Sequence, residues 1–540
     1  MAPGMLYVTM QPEPGLSLDQ FHEWYNNEHG PTRLRLPQIF LNGLRYRATD
    51  GLQPEFLAAY DVTHMSHLET PTYTDLRANR SQREAETIGQ VDVKRYFFDE
   101  ISAHSASPTN RPARIEHYTD DEAEGTVLVS VELSLKSDTP EAEEAAEKWY
   151  TEEHIPMLRK IPGWLRTRIL RTSSLEESSE KKIVALHDYA KDNGLEGPEH
   201  KAAMASTSYR DEVWGKYVAN KTRRQYKLFY VFGPAPRDLS SLSRLPASAA
   251  FTSSDSKTST TPGSSAVIRS FVTGTQDGVE IPYRLEGNPA PGAPTVAFCN
   301  SLLTSLEMWD EFIKILKAKR PDLRILRYDT RGRHAIPSSA EPVPATLDLL
   351  ADDLAEVLAA LRIPKLHALI GVSMGGATTL KFALKYPQKL SKFIACDFNV
   401  ASSEANTKAW KERIALAEED IGKLAGLTVE RWFHPHTMTD KKAVAQWMTD
   451  MVAANNVQGF KFSCQALWDY NMRDEMKECC VPGLFVVGEG DGKGALVKAM
   501  DGFKHLLGKD GAELKVVPMA GHLPMSESPE AFWEAVDAFL

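Results

Sequence analysis

Apolar and polar positions set out two different rhythms along the chain. In the first 233 residues short apolar runs of strand length recur in a fixed order. Residues 5–11 (MLYVTMQ) and 126–133 (TVLVSVEL) alternate as half-buried strands do. Each run leads to a helix-like stretch. Two further strand-like runs follow (43–49 and 56–62; 164–170 and 182–190), then another helix and an aromatic strand (94–101; 226–232). The order is β-α-β-β-α-β, twice, which predicts two α+β units with helices on one face of each sheet. From Ala266 onward the rhythm changes to strands alternating with helices. A hairpin (268–276, 279–287) precedes strands at 295–300, 324–329, 367–373, 393–398, 484–491 and 513–521, most followed by a helix. That spacing predicts a mostly parallel sheet wrapped on both faces.

Between these halves, Pro234–Ser265 is rich in Ser, Thr, Ala and Pro, with few large apolar residues. Such composition buries little surface against its ordering entropy, so residues 234–265 are expected to be a flexible linker. A shorter break, Ala103–Gly125, carries prolines and an acidic run. The expected domains are 1–105, 123–233 and 266–540, the last with a helical cap at about 400–475.

The two N-terminal units are copies. Trp24-Tyr25-Asn26-Asn27-Glu28-His29-Gly30-Pro31 recurs as Trp149-Tyr150-Thr151-Glu152-Glu153-His154-Ile155-Pro156, and Pro37 as Pro162. These motifs resemble the EthD-like group of the dimeric α+β barrel superfamily. The resemblance implies two ferredoxin-like units that pair as one barrel, here within one chain. His29 and His154 are the acid/base candidates at matched positions. The alternative is that each ends its helix and packs the barrel.

In the second half, Gly371-Val372-Ser373-Met374-Gly375-Gly376 follows an apolar strand and opens a helix. G-x-S-x-G in that context is a nucleophile elbow: the glycines permit a sharp turn, and the helix N-terminus points N–H groups at developing negative charge. Ser373 is the candidate nucleophile. A base is expected in the loop after the last strand, where Ala520-Gly521-His522-Leu523-Pro524 supplies His522. The acid that orients the imidazole is expected after 484–490, at Asp491, with Asp397 at the end of 393–396 as its rival. One oxyanion donor is the amide of Met374.

Asn300-Ser301-Leu302, Met308-Trp309-Asp310, Tyr328-Asp329-Thr330-Arg331-Gly332, the serine motif and Gly521-His522-Leu523-Pro524 together resemble 3-oxoadipate enol-lactonases and their relatives in the α/β-hydrolase fold family. The resemblance covers about 270 residues. It implies that Leu302 supplies the second oxyanion amide and that Arg431-Trp432-Phe433 lies in the cap. The chain departs from that pattern at Arg333-His334-Ala335-Ile336 and at Gly488-Glu489-Gly490-Asp491-Gly492, both able to border a pocket. Asn300, Ser301, Trp309, Arg333 and Trp432 are the candidate substrate-binding residues, Arg333 as a partner for a carboxylate. Arg331 is expected to brace a loop.

Composition narrows the field. The 540 residues are 42% hydrophobic and 25% charged, as in globular proteins. A net charge of −11 argues against a nucleic-acid partner. No apolar run reaches membrane-spanning length. The five cysteines are unpaired by spacing, no segment reads as a signal or retention address, and a reducing, cytoplasmic setting is expected. No Cys/His cluster has zinc spacing, so neither metal nor cofactor is expected. The expected activity is serine hydrolysis of a small carboxylic ester or enol-lactone. Carbon–carbon bond hydrolysis or acyl transfer on the same triad is an alternative. So is a tandem that is itself the main catalytic or small-molecule-binding unit. The tandem is also a candidate route to a homo-oligomer.

Overall fold

The computed structural model describes residues 2–106, 115–176, 180–334, 336–337 and 344–540. They form two compact units, Met1–Ser241 and Leu242–Leu540.

The first unit holds eight strands: β1 (Gly4–Pro12), β2 (Phe40–Ala48), β3 (Phe56–Val62), β4 (Val91–Ser105), β5 (Val127–Leu135), β6 (Trp164–Thr172), β7 (Lys182–Tyr189) and β8 (Val218–Val231). They close an antiparallel barrel in the order β1-β3-β2-β8-β5-β7-β6-β4. Each copy contributes four adjacent strands. The copies join at β2–β8 and β4–β6, so the duplicated halves complete one barrel. One face of the strands fills the barrel with residues such as Tyr7, Tyr46, Leu57, Leu128, Leu186 and Leu228. The opposite face packs beneath each half's helices. Both faces are therefore buried, which is why β1 is apolar at nearly every position rather than at alternate ones.

The second unit is a ten-stranded sheet ordered β18-β17-β16-β15-β13-β14-β12-β11-β10-β9. Its strands are β9 (Phe251–Thr252), β10 (Ser259–Thr261), β11 (Val267–Thr273), β12 (Glu280–Gly287), β13 (Thr295–Cys299), β14 (Arg324–Tyr328), β15 (Ala368–Val372), β16 (Phe393–Cys396), β17 (Gly483–Gly488) and β18 (Glu513–Val517). Strands β13 to β18 run parallel, and β9 to β12 form an antiparallel extension. The chain steps from β13 to β14 on one side and to β15 on the other, and ligand crevices form at such switch points, outside the strands' carboxyl ends. Between β16 and β17, helices Glu404–Glu419, Ile421–Trp432, Pro435–Asp440, Lys442–Ala453 and Val457–Ser463 stand over those ends.

Residues 234–265 are not a free linker. They carry a helical turn (Leu239–Ser243) and two strands that extend the sheet edge. Leu239, Leu242, Leu245 and Phe251 are buried, as are the alternating Thr258 and Thr260. A sparse set of apolar anchors, with threonines turned inward on a ladder, is enough to order a segment of this composition. The break at 103–125 lies partly outside the described residues. Its described ends finish β4 and form a short helix, Asp120–Ala123, with Thr119 and Glu122 in a reciprocal cap.

Candidate active site

Ser373 sits where β15 turns into helix Met374–Lys385, at φ 60° and ψ −121°. An L residue holds such a conformation only where its surroundings enforce it. Here the enforcement is crowding. A Cβ on Gly371 would strike the Gly375 carbonyl and the Thr379 hydroxyl, and one on Gly375 would strike the carbonyls of Cys299 and Asn300. The loop after β13 thus passes directly against the first turn of the serine's helix. Leu303 in that loop is also left-handed, at φ 71°. Met374 opens the helix, where N–H groups have no acceptor within the helix.

Three further side chains arrive from successive strand ends. Asp397 follows β16, Asp491 follows β17 and His522 follows β18. His522 Nδ1 lies 2.7 Å from Asp491 Oδ2. The loop holding His522 is fixed by its N–H donating to the Trp432 carbonyl at 2.7 Å and by Gly521 N–H donating to buried Glu527 at 2.8 Å. The Trp432 ring stacks on the imidazole at 5.6 Å. Glu527 also accepts from His434 N–H and Thr437 Oγ1, tying the cap to this loop. Nothing in the sequence marked Glu527 for this role, because a single glutamate in a helix end has no distinguishing spacing.

The two aspartates are close enough that their carboxylates and His522 lie within 4.8 Å of one another. Both are buried, and their environments push them apart. Burial, then the Asp491 charge, holds the Asp397 carboxyl well above its ordinary range, and Gly488 N–H donates to its Oδ1 at 2.9 Å. Burial works against ionisation of Asp491 too, yet the charge and hydrogen bond of His522 bring it below the usual aspartate value. Asp491 is thus the carboxylate paired with the imidazole, and Asp397 behind it holds its proton the more tightly of the two.

Ser373, Met374, Asp491, His522 and Trp432 line one cavity of about 190 Å³. Arg413 and Arg431 line it too. Burial lowers both guanidinium pKa values, that of Arg431 to about 10. Among the described residues neither guanidinium has an ion-pair partner. Arg413 comes from mid-helix in the cap, where nothing in its neighbours marks it.

The other candidate binding residues do not line this cavity. Asn300 braces its own loop: its amide donates to the Tyr328 carbonyl at 2.9 Å, and its carbonyl accepts from Trp309 Nε1 at 3.0 Å. Trp309 is fully buried against Phe298. Ser301 is buried, its carbonyl accepting from Thr304 Oγ1. Arg333 donates to the Met451 carbonyl at 3.0 Å, pinning the cap. Arg331 is held by Asp353 and Asp277, the bracing role expected of it. Asn300, Ser301 and Trp309 thus brace the loop that carries Leu302. Leu302 itself is buried and is not among the residues lining the cavity.

A family profile described as alpha/beta hydrolase fold matches residues 294–529. The C-terminal half of the chain has the α/β-hydrolase fold. In that half the chain is similar to 3-oxoadipate enol-lactonase 2 of Acinetobacter baylyi, 29% identical over 249 residues, 46% of this chain and 88% of that protein. It is likewise similar to 3-oxoadipate enol-lactonase 1 of the same organism, 28% identical over 254 residues, 47% of this chain and 91% of that protein. Among solved structures, a hydrolase from Pseudomonas aeruginosa is 32% identical with a TM-score of 0.43, covering 50% of this chain and 97% of that one. The enol-lactonase from Burkholderia xenovorans is 26% identical with a TM-score of 0.44, covering 50% of this chain and 98% of that one. This α/β-hydrolase half makes the protein a hydrolase. Among the described residues no helix is long and apolar enough to cross a membrane.

Proposed function

We propose that the C-terminal half hydrolyses a small carboxylic ester or enol-lactone bearing a free carboxylate, through Ser373, His522 and Asp491. The observation that carries this reading is the 2.7 Å contact of His522 Nδ1 with ionised Asp491, on the same cavity as a serine held at a strained elbow. Ser373 Oγ attacks the carbonyl carbon while its proton passes to His522 Nε2. Asp491 orients the ring and stabilises the imidazolium. The carbonyl oxygen becomes an oxyanion held by the amides of Met374 and Leu302. The C–O bond to the leaving group breaks, and the imidazolium returns its proton to the departing alcohol or enol. Water, deprotonated by His522, then attacks the acyl-enzyme and frees the acid and Ser373.

Arg413 and Arg431 support an anionic substrate, since charge-assisted contacts to a carboxylate are strong in a partly desolvated cavity. The enol-lactonase relatives act, by their names, on the lactone of a dicarboxylic acid. Replacing Ser373 by Ala should cut turnover of such lactones and of 4-nitrophenyl acetate by about 10³ or more. A fluorophosphonate should label Ser373 in the parent and leave S373A unlabelled. Turnover retained in S373A would overturn the reading.

A further inference from the structure

The two copies in the barrel have the same fold at the same motif, and only one keeps a cavity there. In both, the motif's histidine ends a turn of π-helix, Tyr25–His29 in the first copy and Tyr150–His154 in the second. In both, the glutamate before it accepts from the hydroxyl that caps a later helix: Ser81 to Glu28, Thr207 to Glu153. Ser81 and Thr207 are therefore equivalent positions. Three residues beyond them stand Glu84 and Arg210, whose backbone N–H groups donate to those capping hydroxyls. At one structural position the copies carry opposite charges.

In the first copy Glu84 accepts from His29 Nδ1 at 2.8 Å, Arg33 donates to the His29 carbonyl, and Tyr60 bonds Tyr25. Burial holds the His29 imidazole down to about 3, so it stays neutral and donates to the carboxylate. The space left is about 10 Å³, less than a water needs. The site is filled by its own side chains, and its histidine is paired from within, while Trp24 Nε1 is left without a partner.

In the second copy Arg210 takes the place of Glu84 and Leu158 that of Arg33. A cavity of about 250 Å³ opens between helices and sheet. Its apolar wall includes Val129, Val131, Trp149, Leu158 and Trp214. Its charged and imidazole groups are Arg210, Lys221 and Arg223, with His154, His187 and His200. Among the described residues lining it there is no carboxylate. The His154 ring is stacked on Trp149 at 4.8 Å and makes no hydrogen bond among the described residues. His187 is 3% exposed. Its Nδ1 lies 2.9 Å from Thr167 Oγ1, which already accepts from Trp164 Nε1. That hydroxyl has no other acceptor among the described residues, so it donates to Nδ1 and the ring proton is assigned to Nε2. That Nε2 is buried without a partner. A buried donor left unmatched costs free energy that a bound acceptor would recover.

We propose that this cavity is a second binding site, for a small molecule with one or two flat apolar rings and one carboxylate or phenolate. The rings lie against Trp149, Trp214 and the valines. The anionic oxygen accepts from His187 Nε2–H and pairs with Lys221 and Arg223 at the mouth. The ligand supplies the negative charge that Glu84 supplies in the other copy. The size fits, since an apolar cavity of about 150 Å³ accommodates benzene and this one is larger by roughly one more ring.

The test uses the full chain with Ser373 capped by a phosphonate, because the arginines of the hydrolase cavity attract the same anions. Isothermal titration calorimetry with 2-naphthoate should give one site, and 2-naphthylmethanol, its neutral analogue, should bind at least about tenfold more weakly. R210E should weaken 2-naphthoate about tenfold or more, because it replaces a positive charge on the cavity with a negative one that repels the carboxylate. H187F and K221M should each weaken it about fivefold or more. Lys221 is exposed, so K221M carries the same expectation with little bearing on folding. Circular dichroism and 4-nitrophenyl acetate turnover of the uncapped variants should match the parent. The proposal is overturned if the capped protein does not bind 2-naphthoate at millimolar concentration, if the neutral analogue binds as well, or if folded R210E and K221M bind like the parent.

Discussion

Two substitutions one atom apart in chemistry should behave very differently at Asp397 and Asp491. Asp491 receives His522 Nδ1–H at 2.7 Å and carries the charge that an imidazolium needs. Asp491→Asn removes the charge and lets the side-chain amide face the ring, which reverses the tautomer the serine requires. The expected loss in kcat is about 10⁴, with little change in folding. Asp397 is already neutral, held so by burial and by the neighbouring Asp491 charge. Its Oδ1 accepts Gly488 N–H at 2.9 Å, and its Oδ2 is buried beside Asp491 with no hydrogen-bond partner of its own. An asparagine keeps the Gly488 contact through its carbonyl and sets a neutral amide beside Asp491. Asp397→Asn should therefore cost less than about tenfold. Asp397→Leu removes the polar group beside an ionised carboxylate. On the scale of a hydrogen bond to a charged group, about 1.5–3 kcal/mol, this variant should fall about 10- to 150-fold. Steady-state hydrolysis of 4-nitrophenyl acetate across pH 5–9, with thermal melts of each variant, separates these outcomes. If Asp397→Asn loses as much as Asp491→Asn, the assignment of the ionised and protonated members is reversed and the reasoning fails.

Arg413→Met and Arg431→Met should each raise KM about tenfold or more for a lactone bearing a carboxylate and leave KM for a neutral ester nearly unchanged; equal effects on both substrates would remove the arginines from substrate recognition. The barrel should lose stability as pH falls. Burial lowers the folded-state pKa of His154 to about 4 from its ordinary 6.5, so its contribution is fully present above pH 6.5 and drains away as pH drops toward 4. At pH 5 the loss from this group is about 2 kcal/mol. Chemical denaturation of His154→Gln should accordingly show a shallower decline between pH 7 and pH 5 than the parent, and an identical decline would refute the shift.

What the sequence made legible was what local spacing encodes. The repeated Trp-Tyr-x-x-Glu-His motif announced the duplication, and Gly371 to Gly376 announced the elbow, because each is a backbone demand met within a few residues. Of the candidate substrate-binding residues Trp432 lines the cavity and the others do not, for the opposite reason. Asn300 and Trp309 flank Leu302 in sequence and Arg333 follows the Asp329–Gly332 motif, but the direction in which each side chain points is set by distant partners such as Tyr328 and Met451. Arg413 was invisible because its approach to the cavity depends on how a cap helix is laid across the strand ends. The segment 234–265 was misjudged because composition counts residues without their register: Leu242, Leu245 and Phe251 are few, yet each is buried.

Joining both copies in one chain has a consequence for how the barrel can change. In a symmetric dimer of identical chains every substitution is imposed twice, so a charge introduced at one copy is introduced at its mate. Here β2–β8 and β4–β6 seal the ring between halves that are separate stretches of one polypeptide. Arginine at 210 does not require arginine at 84. One half can specialise as a packed buttress around a histidine–glutamate pair while the other keeps an open cavity with an unmatched donor, and the closed ring of strands offers no open edge to other chains while it does so. Covalent fusion has in this way released the pair from its own symmetry.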